Sequence, residues 1–236
     1  MKIAVCISGA ARSGLGNRDL NLNYERLQHC FPTADFYYGT WKKYEDVVKK
    51  SDVLIFDEPE IHYHPFIDVD FEHSTPKFEK MIRQASTNDK FKETSSHQTK
   101  QILAHAYMMD RIDEYDVIVR ARHDTITYKN ANFMPYIEDA FNNNRAIGFA
   151  TLNPSTDSFT IVREQRNNDY HNNFLFDQLI IHPKKILDTA MVYNLHESKQ
   201  LVAAEHGWWQ VLSSSNNHRC IAGWANPDKS VNSKYL

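Results

Sequence analysis

The chain has 236 residues, 42% of them hydrophobic and 24% charged, and a formal net charge of −3 at neutral pH. That length suits one domain with a real core. The charge argues against a broad basic surface for nucleic acid, and no apolar run approaches the ~20 residues of a membrane span. The elements follow in order. Lys2–Ser8 reads as a buried strand, Asp19–Cys30 as a helix, Ala34–Thr40 as a second strand, Trp41–Lys50 as helical and Asp52–Asp57 as a short third strand. Residues 58–76 hold three prolines without periodicity and read as a long excursion. A helix is expected from about Ser96, capped by Ser95 or Ser96, with Ile102, Ala106 and Met109 on one face. It ends near Glu114 and leads into "YDVIVRAR", a fourth strand. A helix over Phe133–Asn142, a strand over Ala146–Thr151 and a polar stretch over Asn153–Asn173 come next. "NFLFDQLIIH" reads as a strand running into a helix opened by Pro183, followed by a helix over Ser198–Leu212 and a strand near Cys220–Trp224. Alternating strands and helices predict an α/β fold with a mostly parallel sheet.

Cys6, Cys30 and Cys220 are sparse, odd in number and without a CxxC pair, which fits a reducing cytoplasm and no zinc knuckle. The N-terminus carries one lysine and an apolar run too short for a signal-peptide core.

The first candidate site is the loop in "AVCISGAARSGLGN", residues 4–17. A P-loop requires Lys and then Ser or Thr after its second glycine, but Leu15 and Gly16 follow Gly14, which argues against a nucleotide kinase. The dinucleotide pattern also fails, because Asp19 stands where the third glycine belongs. What remains is a small-residue loop at a strand's carboxyl end bearing Ser8, Gly9 and Arg12. It suits a nucleotide diphosphate, or else is a tight turn with a solvated arginine.

The second candidate is "YDVIVRARHDTIT", residues 115–127. Alternation puts Arg120, Arg122 and Asp124 on one face and His123 on the other. Two arginines and a carboxylate at a strand end suit phosphate and a bridging divalent cation; the alternative is an internal Arg–Asp pair closing the strand. The third group is Asp177, Glu205 and His206. Asp177 is conspicuous inside the apolar "FLFDQLII", as a site carboxylate or a hydrogen-bonded structural one. Trp208 and Trp209 beside Glu205 offer faces for sugar rings, or else belong to the core. His97, Gln98 and Gln101 could face a sugar or form an exposed polar face, while His62, His64 and His73 read as surface histidines.

"KIAVCISGAAR", "ADFYYGTW", "HQTKQILAHAYMM" and "YDVIVRARHD" occur here in the order found in small GT-A-type glycosyltransferases, and the chain resembles the WavE-type, capsule, lipopolysaccharide and phage enzymes of that kind. Asp177-Gln178 and the late Glu205 with Trp208 extend the resemblance over residues 2–212. It implies a single GT-A-like domain with a Rossmann-like sheet flanked by helices, residues 1–127 forming the nucleotide-binding half and 128–236 the acceptor half. The implied activity is sugar transfer from a nucleotide-diphosphate donor, a UDP-sugar in the first instance, to the hydroxyl of a glycan, a lipid-linked sugar or a modified phage DNA base. A catalytically silent nucleotide-sugar-binding or assembly protein of the same fold is the alternative. Ser8, Gly9, Arg12, Thr40, Gln98, Arg120 and Arg122 would then contact the donor, Asp177 and Glu205 would be catalytic, and Asp124 with His206 would hold Mn²⁺ or Mg²⁺. His218 is a second candidate for that closing histidine. The usual Asp-x-Asp motif reads Arg122-His123-Asp124 here, so only one of its two carboxylates is present.

Overall fold

The structure is a computed structural model; it describes residues 1–11, 20–63, 89–112, 114–125, 131–150, 164–165, 175, 177–202, 204–212 and 218–222. Strand β1 (Ile3–Gly9) is buried along its whole length, as a continuous apolar run in the middle of a parallel sheet must be. It pairs in parallel with β2 (Asp35–Trp41) on one side and β4 (Val117–Ala121) on the other, and β2 pairs in parallel with β3 (Leu54–Phe56). Beyond β4 the sheet turns mixed. β7 (Leu179–Pro183) runs antiparallel to β4 and to β5 (Ala146–Ala150), β5 pairs in parallel with β8 (His218–Ala222), and β6 (Glu164–Gln165) pairs antiparallel with β8. Among the described residues the order is β3-β2-β1-β4-β7-β5-β8-β6. The expected α/β class with its flanked central sheet is what the chain adopts.

The two faces of β1 separate the helices. Ile3, Val5 and Ile7, with Val117, Val119 and Ala121 of β4, pack on Tyr24 and Leu27 of helix α1 (Leu20–Cys30). Ala4 and Cys6, with Ile118, pack on Ala104 and Met108 of helix α2 (Asp89–Met109). Each fully buried Val, Leu or Ile contributes about 1.5–3 kcal/mol, so these faces fix which way every side chain of β1 and β4 points. Helix α3 (Met134–Asn142) joins the α1 face through Ile137 and Ala140. Helices α4 (Thr189–Glu197) and α5 (Ala204–Leu212) join Ile102 and Leu103 of α2 in a further apolar cluster through Val192, Trp208 and Val211. No helix of the described residues is long and apolar enough to cross a membrane.

Some element boundaries differ from expectation. Helix α2 already runs from Asp89, so Ser95 and Ser96 lie inside it rather than capping it. The segment after Trp41 is a 3₁₀ turn, Lys42–Val47. Pro183 closes β7 and opens only a 3₁₀ turn, Lys184–Ile186; the following helix starts at Thr189, where Asp188 caps it by accepting from the Met191 amide at 3.2 Å. Ser198 ends α4 instead of beginning α5. Arg12, His64, His73, Trp224 and nearly all of Asn153–Asn173 lie outside the described residues.

Candidate functional site

β1 has β2 on one side and β4 on the other, so the chain's path across the sheet reverses there, and ligands of open α/β sheets bind beyond the strand carboxyl ends at such a point. The carboxyl ends of β1, β2, β3 and β4 share one edge. Because β7 is antiparallel, with Leu179 opposite Ala121, its entry residues Asp177 and Gln178 arrive at that same edge. Ser8, Gly9, Thr40, Arg122, Asp124 and Asp177 therefore lie together at this edge of the sheet although they span 170 positions of sequence.

Ser8 is buried, and its hydroxyl has no hydrogen-bond partner among the described residues. Gly9 takes a φ of +108°, which a side chain there would strain, and a Cβ would also come within 3.6 Å of Gln101 Cγ. The Thr40 hydroxyl donates to the Gly9 carbonyl at 3.0 Å and accepts from the Ala11 amide at 3.4 Å, so β2 fixes the start of the loop.

The two arginines of the "VRARHD" stretch have separate environments. Arg120 is fully buried on the α2 side. It donates to the Asp177 carbonyl and, at 2.8 Å, to Gln101 Oε1, and its guanidinium lies 4.6 Å from the Trp208 ring centre. Burial lowers its pKa to about 10, against the pull of Asp177, which still leaves it charged at neutral pH. Enclosed in this way, Arg120 ties α2, the approach to β7 and α5 together, in place of the open donor contact expected of it. Trp208 is likewise buried against Arg120 and His105, so it offers no open face to a sugar, whereas Trp209 is half-buried.

Arg122 is partly exposed, and it grips Asp124 in a fork, Nε to Oδ1 at 2.8 Å and Nη2 to Oδ2 at 2.7 Å. Its Nη1 lies 3.8 Å from Asp177 Oδ2. Thr125 locks the turn beneath: its hydroxyl accepts from the Arg122 amide at 2.9 Å and donates to the Gln178 carbonyl at 2.7 Å, and its own amide donates to the Arg122 carbonyl at 3.1 Å. Nothing in the sequence pattern singled out Thr125 or the Gln101–Arg120 link; a threonine directly after a strand-end Arg-x-Asp was the available signal. His123 faces α1, as alternation required. Its Nε2–H donates to the Gly39 carbonyl at 3.0 Å, and its Nδ1 accepts from the Tyr24 hydroxyl at 2.7 Å. Burial lowers its pKa to about 4, so it is a neutral structural residue.

The other expected residues lie on other elements. Gln98 sits on α2 one turn before Gln101, half-buried. His206 is buried on α5, and Glu205 belongs to the same helix. His218 begins β8 opposite Ala146, three strands over from β4 and level with Ile118 rather than with the strand's carboxyl end. His62 is exposed and pairs with Glu60 at 3.1 Å. Among the described residues no three His, Cys, Asp or Glu side chains converge on a metal position. A divalent cation needs oxygen ligands with lone pairs directed at it. Both Asp124 oxygens accept N–H groups of Arg122, and a cation bound there would lie against that guanidinium with no second and third ligand converging among the described residues, so these residues do not fit the Asp124–His206 metal site expected from the sequence.

No protein-family model matches the chain, and no curated protein does. Solved structures with a similar course of chain include a 4-diphosphocytidyl-2C-methyl-D-erythritol synthase from Anaerococcus prevotii, 12% identical, covering 99% of this chain and 94% of that one at a TM-score of 0.48. An inositol-1-phosphate CTP transferase from T. maritima is 12% identical, with 94% and 84% covered and a TM-score of 0.41. The galactosyltransferase LgtC, in complex with donor and acceptor sugar analogues, is 8% identical, with 90% and 71% covered and a TM-score of 0.41. At TM-scores below 0.5 these likenesses carry nothing about activity, which has to come from the site itself.

Proposed function

We propose that the chain is a glycosyltransferase that takes a sugar from a nucleotide-diphosphate donor bound across the β1/β4 crevice. The observation that carries this reading is the convergence of Arg122, Asp124, Asp177 and the partnerless hydroxyl of Ser8 at the switch point of the sheet. In this reading Ser8, Arg12 and the amides of the loop after Gly9 receive the diphosphate, and Thr40, proposed as a donor contact from the sequence, acts by fixing the start of that loop. Arg122 offsets the charge that develops on the leaving phosphate oxygen as the bond from that oxygen to the sugar anomeric carbon breaks. The acceptor hydroxyl forms the new bond to that carbon and gives its proton to a carboxylate. Asp177 lies beside Arg122, on the leaving-group side, which suits it to hold a donor-sugar hydroxyl. The proton-accepting carboxylate of an inverting reaction stands across the anomeric carbon, and α5, which carries Glu205, is the element we assign to it. The acceptor is the hydroxyl of a glycan, a lipid-linked sugar or a modified DNA base.

The test is a thermal-shift panel of UDP, GDP and CMP sugars, followed by an assay for release of the free nucleotide with and without simple sugar acceptors. Stabilisation by one donor and its turnover support the proposal; no shift with any donor overturns it. The internal pairing of Arg122 with Asp124 favours a second reading, a silent nucleotide-sugar-binding protein, and that reading predicts a shift with no turnover.

A further inference from the structure

We infer that the Arg122 guanidinium stands where a divalent cation would otherwise sit, so that this crevice binds and activates its nucleotide-diphosphate donor without a metal. The inference rests on the transferase reading above and deepens it. A cation-binding pair of carboxylates two residues apart on a strand presents both to one face. In this chain the first of those positions is Arg122 and the second Asp124, on the same face, and the cation is thus attached to the chain itself.

Three features support the exchange. The fork between Arg122 and Asp124 is bidentate, the strongest geometry a guanidinium and a carboxylate adopt. A second carboxylate, Asp177, flanks the same guanidinium at 3.8 Å, so two anionic side chains surround it much as they would surround a metal ion. Both carboxylates ride on fixed backbone: Thr125 clamps the Asp124 turn to the Gln178 carbonyl, and buried Arg120 holds the Asp177 carbonyl. Admitting Mn²⁺ or Mg²⁺ to Asp124 would set a double positive charge against a guanidinium that never deprotonates. Asp124 takes the Nε–Nη2 edge of this planar, partly exposed guanidinium, and a phosphate oxygen would meet it at the Nη1–Nη2 edge. The guanidinium supplies one positive charge where a metal supplies two.

The experiment is calorimetric titration of the full chain with UDP, GDP and CDP, each in excess EDTA and again in excess Mn²⁺, together with the paramagnetic resonance signal of free Mn²⁺ titrated with protein alone. The expected result is one nucleotide whose Kd changes less than about threefold between the two buffers, and no protein-dependent loss of the free Mn²⁺ signal. Arg122→Lys keeps a charge but loses the fork and should weaken that nucleotide about tenfold in both buffers. Arg122→Asp restores two carboxylates and should bind the nucleotide only when Mn²⁺ is present; thermal melts of both variants verify that they fold. Wild-type affinity raised tenfold or more by Mn²⁺, or stoichiometric Mn²⁺ binding that Asp124→Asn abolishes, overturns the inference and leaves the transferase reading intact. No binding of any nucleotide in either buffer overturns both.

Discussion

Gly207→Ala tests how α5 is seated behind the crevice. In an exposed helix interior this exchange stabilises by about 0.8–1 kcal/mol, and a newly buried methyl adds about 0.8 kcal/mol more. At Gly207 the added Cβ would instead run into the Val202 carbonyl oxygen and Ile102 Cδ1, with the Val202 carbonyl carbon only 3.1 Å away. The Ile102 methyl can turn aside, but the carbonyl belongs to the backbone. Either α5 shifts as a body or the Val202 segment does. Overpacking of this kind costs about 1–3 kcal/mol beyond what it must first cancel, and the sign therefore reverses. A net loss of about 1–3 kcal/mol corresponds to roughly 2–12 °C in Tm for a chain of this size. The assay is urea denaturation with the m-value compared between variants, so that a changed midpoint reports stability alone. Gly207→Ala combined with Ile102→Val should recover only part of the loss, because the carbonyl contact remains. A Gly207→Ala protein as stable as wild type, or more so, would refute the close approach of α5 to the Val202 backbone, and with it the fixed position of Trp208 over Arg120.

Four further outcomes follow from particular contacts. His123 and His182 are both lowered by burial from 6.5 to about 4; the unfolded chain takes up their protons first, so stability is full above about pH 6.5 and falls as the pH drops towards 4. Each histidine contributes a slope of about 1.4 kcal/mol per pH unit at most, measurable as Tm against pH and flattened in a His182 variant that folds. Asp139 binds Arg145 in a fork and also pairs with Arg219; these arginines and Asn143 outweigh burial and lower its pKa, so its stabilisation is present at neutral pH and is lost as the pH falls through its lowered pKa, below the usual carboxylate range. Asp139→Asn should therefore lower Tm at pH 7 and converge with wild type in acid. Tyr24→Phe removes the hydroxyl that donates to buried His123 Nδ1 and should cost about 1–3 kcal/mol in urea denaturation. Thr125→Val frees the Arg122 amide and the Gln178 carbonyl and should lower kcat/KM at least tenfold while Tm falls only a few degrees, a split that a purely structural role would not produce.

The first half of the fold was legible because its signals are local. β1 and β4 are apolar but for Ser8 and Arg120, and the alternation of β4 sorted His123 from Arg122 and Asp124 onto the correct faces. The helix starts were misread where a serine or proline has more than one use. Ser95 and Ser96 resemble caps, but the residues before them continue the helix, and the true cap of α4, Asp188, lies beyond a 3₁₀ turn that Pro183 introduces. At the site, both readings weighed for "VRARHD" meet in the same residues: the Arg–Asp pair exists, and it sits at the strand carboxyl ends. The sequence offered no way to tell the buried arginine from the exposed one, because that depends on Gln101 and Trp208, which approach Arg120 from 19 positions before it and 88 after. Asp177 stood out for its apolar neighbours, but its arrival beside Arg122 follows from the reversal of β7, a long-range pairing that no local pattern encodes.

That reversal, together with buried Arg120, bears on how the chain could be divided. A cut after residue 127 would leave the cation in one fragment and its partners Asp177 and Trp208 in the other, and it would expose the edge of β4 that β7 now covers. Neither fragment could complete its sheet alone, yet each would present the edge and the charge that the other lacks. The two pieces form a natural pair for fragment complementation, in which reassembly of the strand ladder and return of the proposed nucleotide binding would be one event.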